Sequence, residues 1–342
     1  MPDKVLVTGI SGFLGAHVAL ALLDAGYEVR GSLRDLGRAD KIRAALQQAS
    51  ASGSADKLEF VALDLMRDEG WLKAMEGCRY LQHVASPFPL RMPADRDALI
   101  RPAVEGTRRA LMAALAAGLD RIVVTSSMAA VMYGHPPGRT APFTEADWSR
   151  TTGPDVTAYT ESKTLAELEA WSVMETAGHR HELVAINPAV ILGPLLEDDP
   201  GTSGLIVQRL LRGSVPVAPR LSIGVVDVRD VAELQLRAME TPAAGGHRFL
   251  ASAGNLSILE AANVLRQAFP THAARLPRFE APDWAVRLAG AFDADIRGQL
   301  GSLGVVRNID AAPAQALLGY KFIAPATALT AMAQSLMARK LA

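Results

Sequence analysis

The chain lacks most of what would tie it to an oxidising compartment, a membrane or a polyanion. It has one cysteine, Cys78, in 342 residues, so no disulfide can close within it and a reducing compartment is expected. No run of about 18 uncharged apolar residues occurs, so no transmembrane helix is expected. The opening MPDKVLVTG has no basic start followed by a long apolar region, and no signal peptide is read there. A cytoplasmic protein is the expectation. Neither sign of charge is in excess: Lys and Arg number 35 against 36 Asp and Glu. The net charge of -1 leaves no electrostatic footprint for nucleic acid or an anionic membrane. The seven histidines are scattered, and His179 and His181 lack metal-ligand spacing, so no metal site is expected.

What is present is a globular composition, 49% hydrophobic and 21% charged, in a chain long enough for two closely joined domains. Short apolar runs at 5–7, 28–33, 58–62, 81–85, 121–126 and 183–187 read as strands. Helical stretches at 13–25, 39–50, 72–75, 98–117 and 157–177 alternate with them. This alternation predicts an α/β protein with a doubly wound parallel sheet. Gly and Pro dominate from Pro188 to about 222, and residues 225–239 and 248–251 read as a return to the sheet. From 257 onward the pattern is mainly helical. The expected division is a nucleotide-binding domain at 1–189 and about 223–252. A smaller, mainly helical substrate domain takes about 190–222 and 253–342.

The first strand runs into Thr8-Gly9-Ile10-Ser11-Gly12-Phe13-Leu14-Gly15, which opens a helix. Gly9 permits a tight turn, Gly12 lets a phosphate approach the backbone, and Gly15 lets the helix pack close to the sheet. The free N–H groups of the helix start then face a pyrophosphate. An acidic residue after the second strand would hold the ribose hydroxyls of NAD. Here Arg34 stands there, with Lys41 seven residues on, and a guanidinium suits a 2′-phosphate, so NADP(H) is the expected cofactor. Asp35 beside Arg34 is the competing candidate. Asp64 and Leu65 follow the third strand, where adenine is expected; Asp64 equally reads as a helix cap.

Tyr159 and Lys163 are spaced to share one face of a helix. A lysine one turn away is expected to lower the phenol's pKa, making it a proton donor to a carbonyl oxygen. Ser126 and Ser127 end the fifth strand, at the sheet edge where ligands of doubly wound folds bind. Ser127 can orient a substrate oxygen there, or simply cap a turn. The glycine loop, the strand-end serine and the Tyr-x-x-x-Lys pair occur in that order along the chain.

With TGISGFLG, VVTSS, YTESK and INPAVILGP in place, the chain resembles the extended short-chain dehydrogenase/reductase family. The tracts 83–88, 104–107, 143–148 and 162–167 are similar to its dihydroflavonol-reductase-like branch of aldehyde and ketone reductases. The resemblance covers essentially the whole chain. It implies a Rossmann domain, and Ser127, Tyr159 and Lys163 as the catalytic set. It places Val84 and Ala85 by the cofactor riboses and Pro188 by the nicotinamide, with Ser86, Thr125 and Val190 as further cofactor contacts. Arg34 and Lys41 match the branch's usual 2′-phosphate contacts. The chain departs from plant flavonoid reductases in carrying Val131 where they place an amide. It also lacks the Trp-Tyr-Cys-Tyr stretch of cinnamoyl-CoA reductases.

The expected reaction is hydride transfer from NADPH to a hydrophobic aldehyde or ketone, in a monomer or homodimer. Phe88, Met128, Val131 and Leu195 are the expected substrate contacts, and 201–204 a flexible lid. A 3β-hydroxysteroid dehydrogenase, a nucleotide-sugar epimerase or dehydratase, and a non-enzymatic NADPH sensor are the alternatives. His83 reads as a satisfied core residue, Cys78 as an inert turn thiol, and Arg108 and Arg109 as a solvated helix face.

Overall fold

The computed structural model describes residues 2–53, 58–86 and 95–342. Seven strands form one sheet: β1 (Lys4–Thr8), β2 (Glu28–Leu33), β3 (Leu58–Ala62), β4 (Tyr80–His83), β5 (Arg121–Thr125), β6 (Leu183–Pro188) and β9 (Arg248–Ala251). Their order is β3-β2-β1-β4-β5-β6-β9, and every pairing is parallel. The chain builds outward from β1 to β3, then crosses back to β4, which pairs with the other side of β1. That reversal opens a crevice at the carboxyl ends of β1 and β4.

The central strands β1, β5 and β6 are legible because helices cover both faces, so nearly every interior position in them must be apolar. Val5, Leu6 and Val7 of β1 are fully buried, as is all of β6. Helices α1 (Phe13–Asp24) and α2 (Ala39–Ala49) put Leu22, Leu23, Ile42 and Leu46 into the core on one face. Helix α3 (Trp71–Met75), α4 (Asp97–Ala117) and α5 (Ala158–Thr176) cover the other with Trp71, Leu111, Trp171 and Met174. Thr157 opens α5 by accepting a hydrogen bond from the Thr160 N–H, which sets Tyr159 in the first turn.

A second sheet of three strands, β7 (Val190–Leu192), β8 (Ser222–Asp227) and β10 (Gly254–Ser257), lies beyond β6, in the order β10-β8-β7. The strand at 222–227, with Val225 and Val226, therefore joins this small sheet, not the large one. What returns to the large sheet is α7 (Val228–Glu240), whose Val231 and Leu234 pack under it, followed by β9. The stretch 201–204 is not a loop but the first turn of α6 (Gly201–Leu211). Helices α8 (Ile258–Ala268), α9 (Asp283–Phe292), α10 (Ala294–Gln299), α11 (Ala312–Leu318) and α12 (Pro325–Ala338) complete the chain. Leu195, Val207, Leu265 and Met332 are among the residues of a third core around the small sheet. Among the described residues no helix is long and apolar enough to cross a membrane.

Candidate active site

The glycine loop sits at the crevice, and its spacing has steric causes. Gly9 has φ +69°, and a Cβ on it would lie 2.9 Å from the Ala85 Cα at the end of β4. A Cβ on Gly15 would lie 2.2 Å from the Gly9 carbonyl oxygen, so α1 can approach β1 only with hydrogen at that position. Gly12 is not crowded in this way; its Cβ would be 3.4 Å from its nearest neighbour, Gly9 O. Its N–H donates to Gly9 O at 3.0 Å, and as the N-terminal cap of α1 it leaves the first-turn amides without a side-chain acceptor. The loop is thus a concave, amide-lined start of a helix, the form that receives a phosphate. Thr8 braces it: its Oγ accepts from the Ala85 N–H at 3.0 Å and is hydrogen-bonded to His83 Nδ1 at 3.0 Å. His83 is a satisfied core residue, as its place in an apolar strand suggested. Burial, helped by the Lys163 charge, pulls its pKa down to about 4, so the ring is neutral.

Ser127, Tyr159 and Lys163 come together on the same edge. Ser127 caps a single 3-10 turn at 128–130, its Oγ accepting from the Ala129 N–H at 3.1 Å, and its side chain also hydrogen-bonds the Tyr159 phenol. The capping reading of Ser127 holds, and the same side chain lies against the Tyr159 phenol. Tyr159 behaves differently from the expectation set by spacing. Burial pushes the phenol's pKa up to about 12, with the Ser127 hydrogen bond pulling the other way. One helical turn from a lysine does not lower a phenol when desolvation is larger. Lys163 is itself buried, and burial lowers its pKa to about 8 against the opposing pull of Glu167.

Behind this wall lies a buried ionic knot that sequence reasoning missed. Glu167 is the next residue on the Tyr159–Lys163 face of α5 and is wholly buried. Its carboxylate accepts from Ser126 Oγ at 2.5 Å, Asn187 Nδ2 at 2.7 Å and Arg248 Nε at 2.6 Å. Asn187 also donates to the Ser127 carbonyl at 3.1 Å, which fixes the backbone of the serine turn. Arg248, stacked 3.7 Å over the Trp148 ring, donates further to the carbonyls of Glu145 and Asp147. The available signals were Arg248 opening an otherwise apolar strand, and Asn187 following an apolar run before a proline.

The remaining expected contacts fall into two groups. Val84, Ala85 and Ser86 follow β4 beside Gly9, half-buried, and Pro188 ends β6. Ser11, Phe13 and Leu14 are on the loop or first turn of α1, and Val190 opens β7. Arg34 stands exposed just after β2, with no hydrogen bond or ion pair among the described residues. Lys41 instead pairs with Asp198 Oδ2 at 3.1 Å. Asp64 caps its own turn by accepting from the Met66 N–H at 2.9 Å, Leu65 packs against Gly106, and Thr125 Oγ1 is taken by Gln235 Nε2 at 2.8 Å. Cys78 is half-buried, and burial raises its pKa, which removes it as a nucleophile. Arg108 and Arg109 pair with Glu169 and Asp68, so they lace the helix surface to its neighbours.

The expected substrate contacts need correction. Met128 and Val131 are fully buried and pack with Phe143 and Leu250, while Leu195 belongs to the core around the small sheet. An apolar side chain in a closed core has no surface left for a ligand. Phe88 lies outside the described residues. Val131→Asn is accordingly expected to bury an amide without partners and to destabilise the fold by roughly 1–3 kcal/mol. A lowered urea midpoint checks this; an unchanged midpoint with altered substrate ranking would return Val131 to the pocket.

Comparison with known proteins agrees with this geometry. A profile of the NAD dependent epimerase/dehydratase family matches residues 5–251. Cinnamoyl-CoA reductase CAD2 of Medicago truncatula is 32% identical over 276 residues, covering 79% of this chain and 82% of that one. Ketoreductase azaE of Aspergillus niger is 32% identical over 303 residues, covering 83% and 87%. The crystal structure of yeast methylglyoxal/isovaleraldehyde reductase Gre2 with NADPH superposes with a TM-score of 0.79 at 25% identity, over 99% of this chain and 100% of that one. The chain belongs to the NAD dependent epimerase/dehydratase family, the extended short-chain dehydrogenases/reductases.

Proposed function

We propose that this chain is an NADPH-dependent reductase that converts the carbonyl of a hydrophobic aldehyde or ketone to an alcohol, with Tyr159 as the proton donor. The observation that carries the reading is the Tyr159 phenol hydrogen-bonded to Ser127, one turn from the buried Lys163, at the sheet edge that carries the glycine loop. Relatives named as ketone and acyl-CoA reductases, and a structural neighbour complexed with NADPH, support it.

The residues present fit a dinucleotide. The loop of Gly9, Gly12 and Gly15 and the uncapped start of α1 would hold the pyrophosphate, Lys163 the nicotinamide ribose, and Arg34 the 2′-phosphate. Bound there, the reduced nicotinamide supplies the hydride. Ser127 and Tyr159 donate hydrogen bonds to the substrate oxygen and set its orientation. A phenol with a pKa near 12 carries its proton at neutral pH, so Tyr159 enters reduction as an acid without prior loss of a proton. We assign the cofactor to residues 1–189 and 223–252 and the substrate to the chain that flanks them.

The direct test is NADPH consumption across benzaldehydes, aryl ketones, aliphatic diketones, dihydroflavonols and nucleotide sugars. Turnover of the first three groups supports the reading; activity confined to nucleotide sugars overturns it. Arg34→Ala is expected to weaken NADPH and spare NADH, because a charge-assisted contact is worth roughly 1.5–3 kcal/mol, or about 10- to 100-fold. Equal loss for both cofactors in binding titrations would make Arg34 structural. Activity should also respond to Lys163. As pH rises through about 8 the lysine loses its charge, so kcat/KM is expected to fall there. A profile flat up to the ordinary lysine value of about 10.4 would overturn the link between activity and a Lys163 titration lowered by burial.

A further inference from the structure

The segment after β7 runs between α1, α12 and the residues after β2, and is held at three points. At its start, His17 of α1 donates from Nε2 to the Pro194 carbonyl at 2.9 Å; burial keeps that ring neutral, with a pKa of about 4. On one side α12 grips it. Ser335 Oγ accepts from the Leu195 N–H at 3.1 Å, and Arg339 donates to the Leu196 carbonyl at 2.8 Å and to Asp198 Oδ1 at 2.9 Å. On the other side it meets the segment that follows β2. Glu197, with only 8% of its side chain exposed, faces Arg38 Nη2 at 3.6 Å, and Asp198 faces Lys41 Nζ at 3.1 Å. Glu197 Oε1 is buried with no hydrogen-bond partner among the described residues. Just beyond, Gly201 begins α6, and a Cβ on it would sit 3.7 Å from Phe13 Cβ at the start of α1. The strap therefore spans from the glycine-loop helix to the cations beside Arg34.

We propose that Glu197 and Asp198 form an anionic latch that competes with the cofactor's 2′-phosphate for Arg38 and Lys41, and so helps set the preference between NADPH and NADH. This rests on the NADPH reading above. Three cations, Arg34, Arg38 and Lys41, stand within eight positions of one another after β2, and two of them are already held by carboxylates. A phosphate dianion arriving beside Arg34 draws on the same cations and repels the same carboxylates. Its binding and the closed strap are therefore in opposition, which an NADH ribose, carrying no phosphate there, does not feel. The carboxylates act as a toll on NADPH alone, lowering its affinity and hastening its departure.

The test is a binding titration of NADPH, NADH, 2′-AMP and 5′-AMP to the wild type, to Asp198→Asn, and to the double variant Glu197→Gln/Asp198→Asn. Asp198 is more than half exposed, so its variant carries little risk to folding, and Gln keeps the shape of the buried Glu197. The double variant is expected to bind NADPH and 2′-AMP about 3- to 10-fold more tightly, and NADH and 5′-AMP within about twofold of wild type. Weaker NADPH binding in the variants would show that the strap grips the cofactor and would overturn the latch. So would unchanged affinity for both phosphorylated ligands, given a wild type that prefers NADPH. A wild type that prefers NADH would instead refute the cofactor reading itself, so the two failures are distinct.

Discussion

Replacing Tyr159 by phenylalanine is expected to lower kcat by about 10²- to 10⁴-fold while leaving NADPH affinity within about twofold. The substitution removes one hydroxyl from a ring that remains packed. Ser127 keeps its second partner, the Ala129 N–H, so the serine turn should hold its shape. On the proposed reading, the variant loses the proton that the nascent alkoxide needs and the hydrogen bond that polarises the carbonyl. The high phenol pKa makes the direction of transfer matter. Alcohol oxidation needs the phenolate, and an acid with a pKa near 12 is almost wholly protonated at neutral pH. Because reduction consumes a proton, the balance should move toward oxidation as pH rises, until Lys163 loses its charge. Stopped-flow measurement of hydride transfer, beside a cofactor titration, separates the chemical step from binding. Retention of more than about a tenth of the wild-type rate would remove Tyr159 from the proton path.

The second large effect is on stability. Glu167→Ala is expected to lower the unfolding free energy by about 3–5 kcal/mol, because it leaves the Arg248 guanidinium buried without its counter-charge. Ser126 Oγ also loses its acceptor, and Asn187 Nδ2 one of its two. The loss is a property of the pair and not of either residue. Arg248→Met alone should cost a similar amount, since it strands the carboxylate, whereas Glu167→Met/Arg248→Met should cost much less than the sum. Urea unfolding of the wild type, Glu167→Met, Arg248→Met and the double variant closes the cycle and gives the coupling energy directly. Additive losses would show that the two residues act independently. Because Asn187 ties the same carboxylate to the Ser127 backbone, the single variants should also lose activity beyond what their unfolded fraction explains.

Much of the large sheet was readable from the sequence because local and tertiary demands agree there. A strand buried on both faces must be apolar, as the runs at 5–7, 122–124 and 183–186 are, whereas β2 alternates half-buried Glu28 and Arg30 with buried positions. The glycine loop was readable because the close approach of α1 to β1 tolerates no Cβ at Gly15. The small sheet was not. Strand β10, Gly254–Ser257, is short and polar, and only its pairing with β8 makes it a strand. The pair Val225-Val226 is as apolar as its neighbours in the large sheet, so its allegiance depends on partners that periodicity cannot name. Pairings across long separations were equally hidden. Lys41 meets Asp198 across 157 positions, and its charge alone pointed toward a phosphate. Val131 was assigned to a pocket by analogy of position, but Phe143 and Leu250 close around it.

The distance between Glu167 and Arg248 also bears on the order in which the chain becomes foldable during synthesis. The two are 81 positions apart, and β9, which carries Arg248, is the last strand of the large sheet to be made. At about 5–20 residues per second, the ribosome exposes α5 roughly 4–16 s before the guanidinium that neutralises its buried carboxylate. During that interval Glu167 must stay hydrated or take up a proton, so α5 cannot settle fully against β6. The nascent chain therefore waits for its edge strand before the wall behind Ser127 and Lys163 can close, and a chain released before Arg248 would expose an unfinished face at β6.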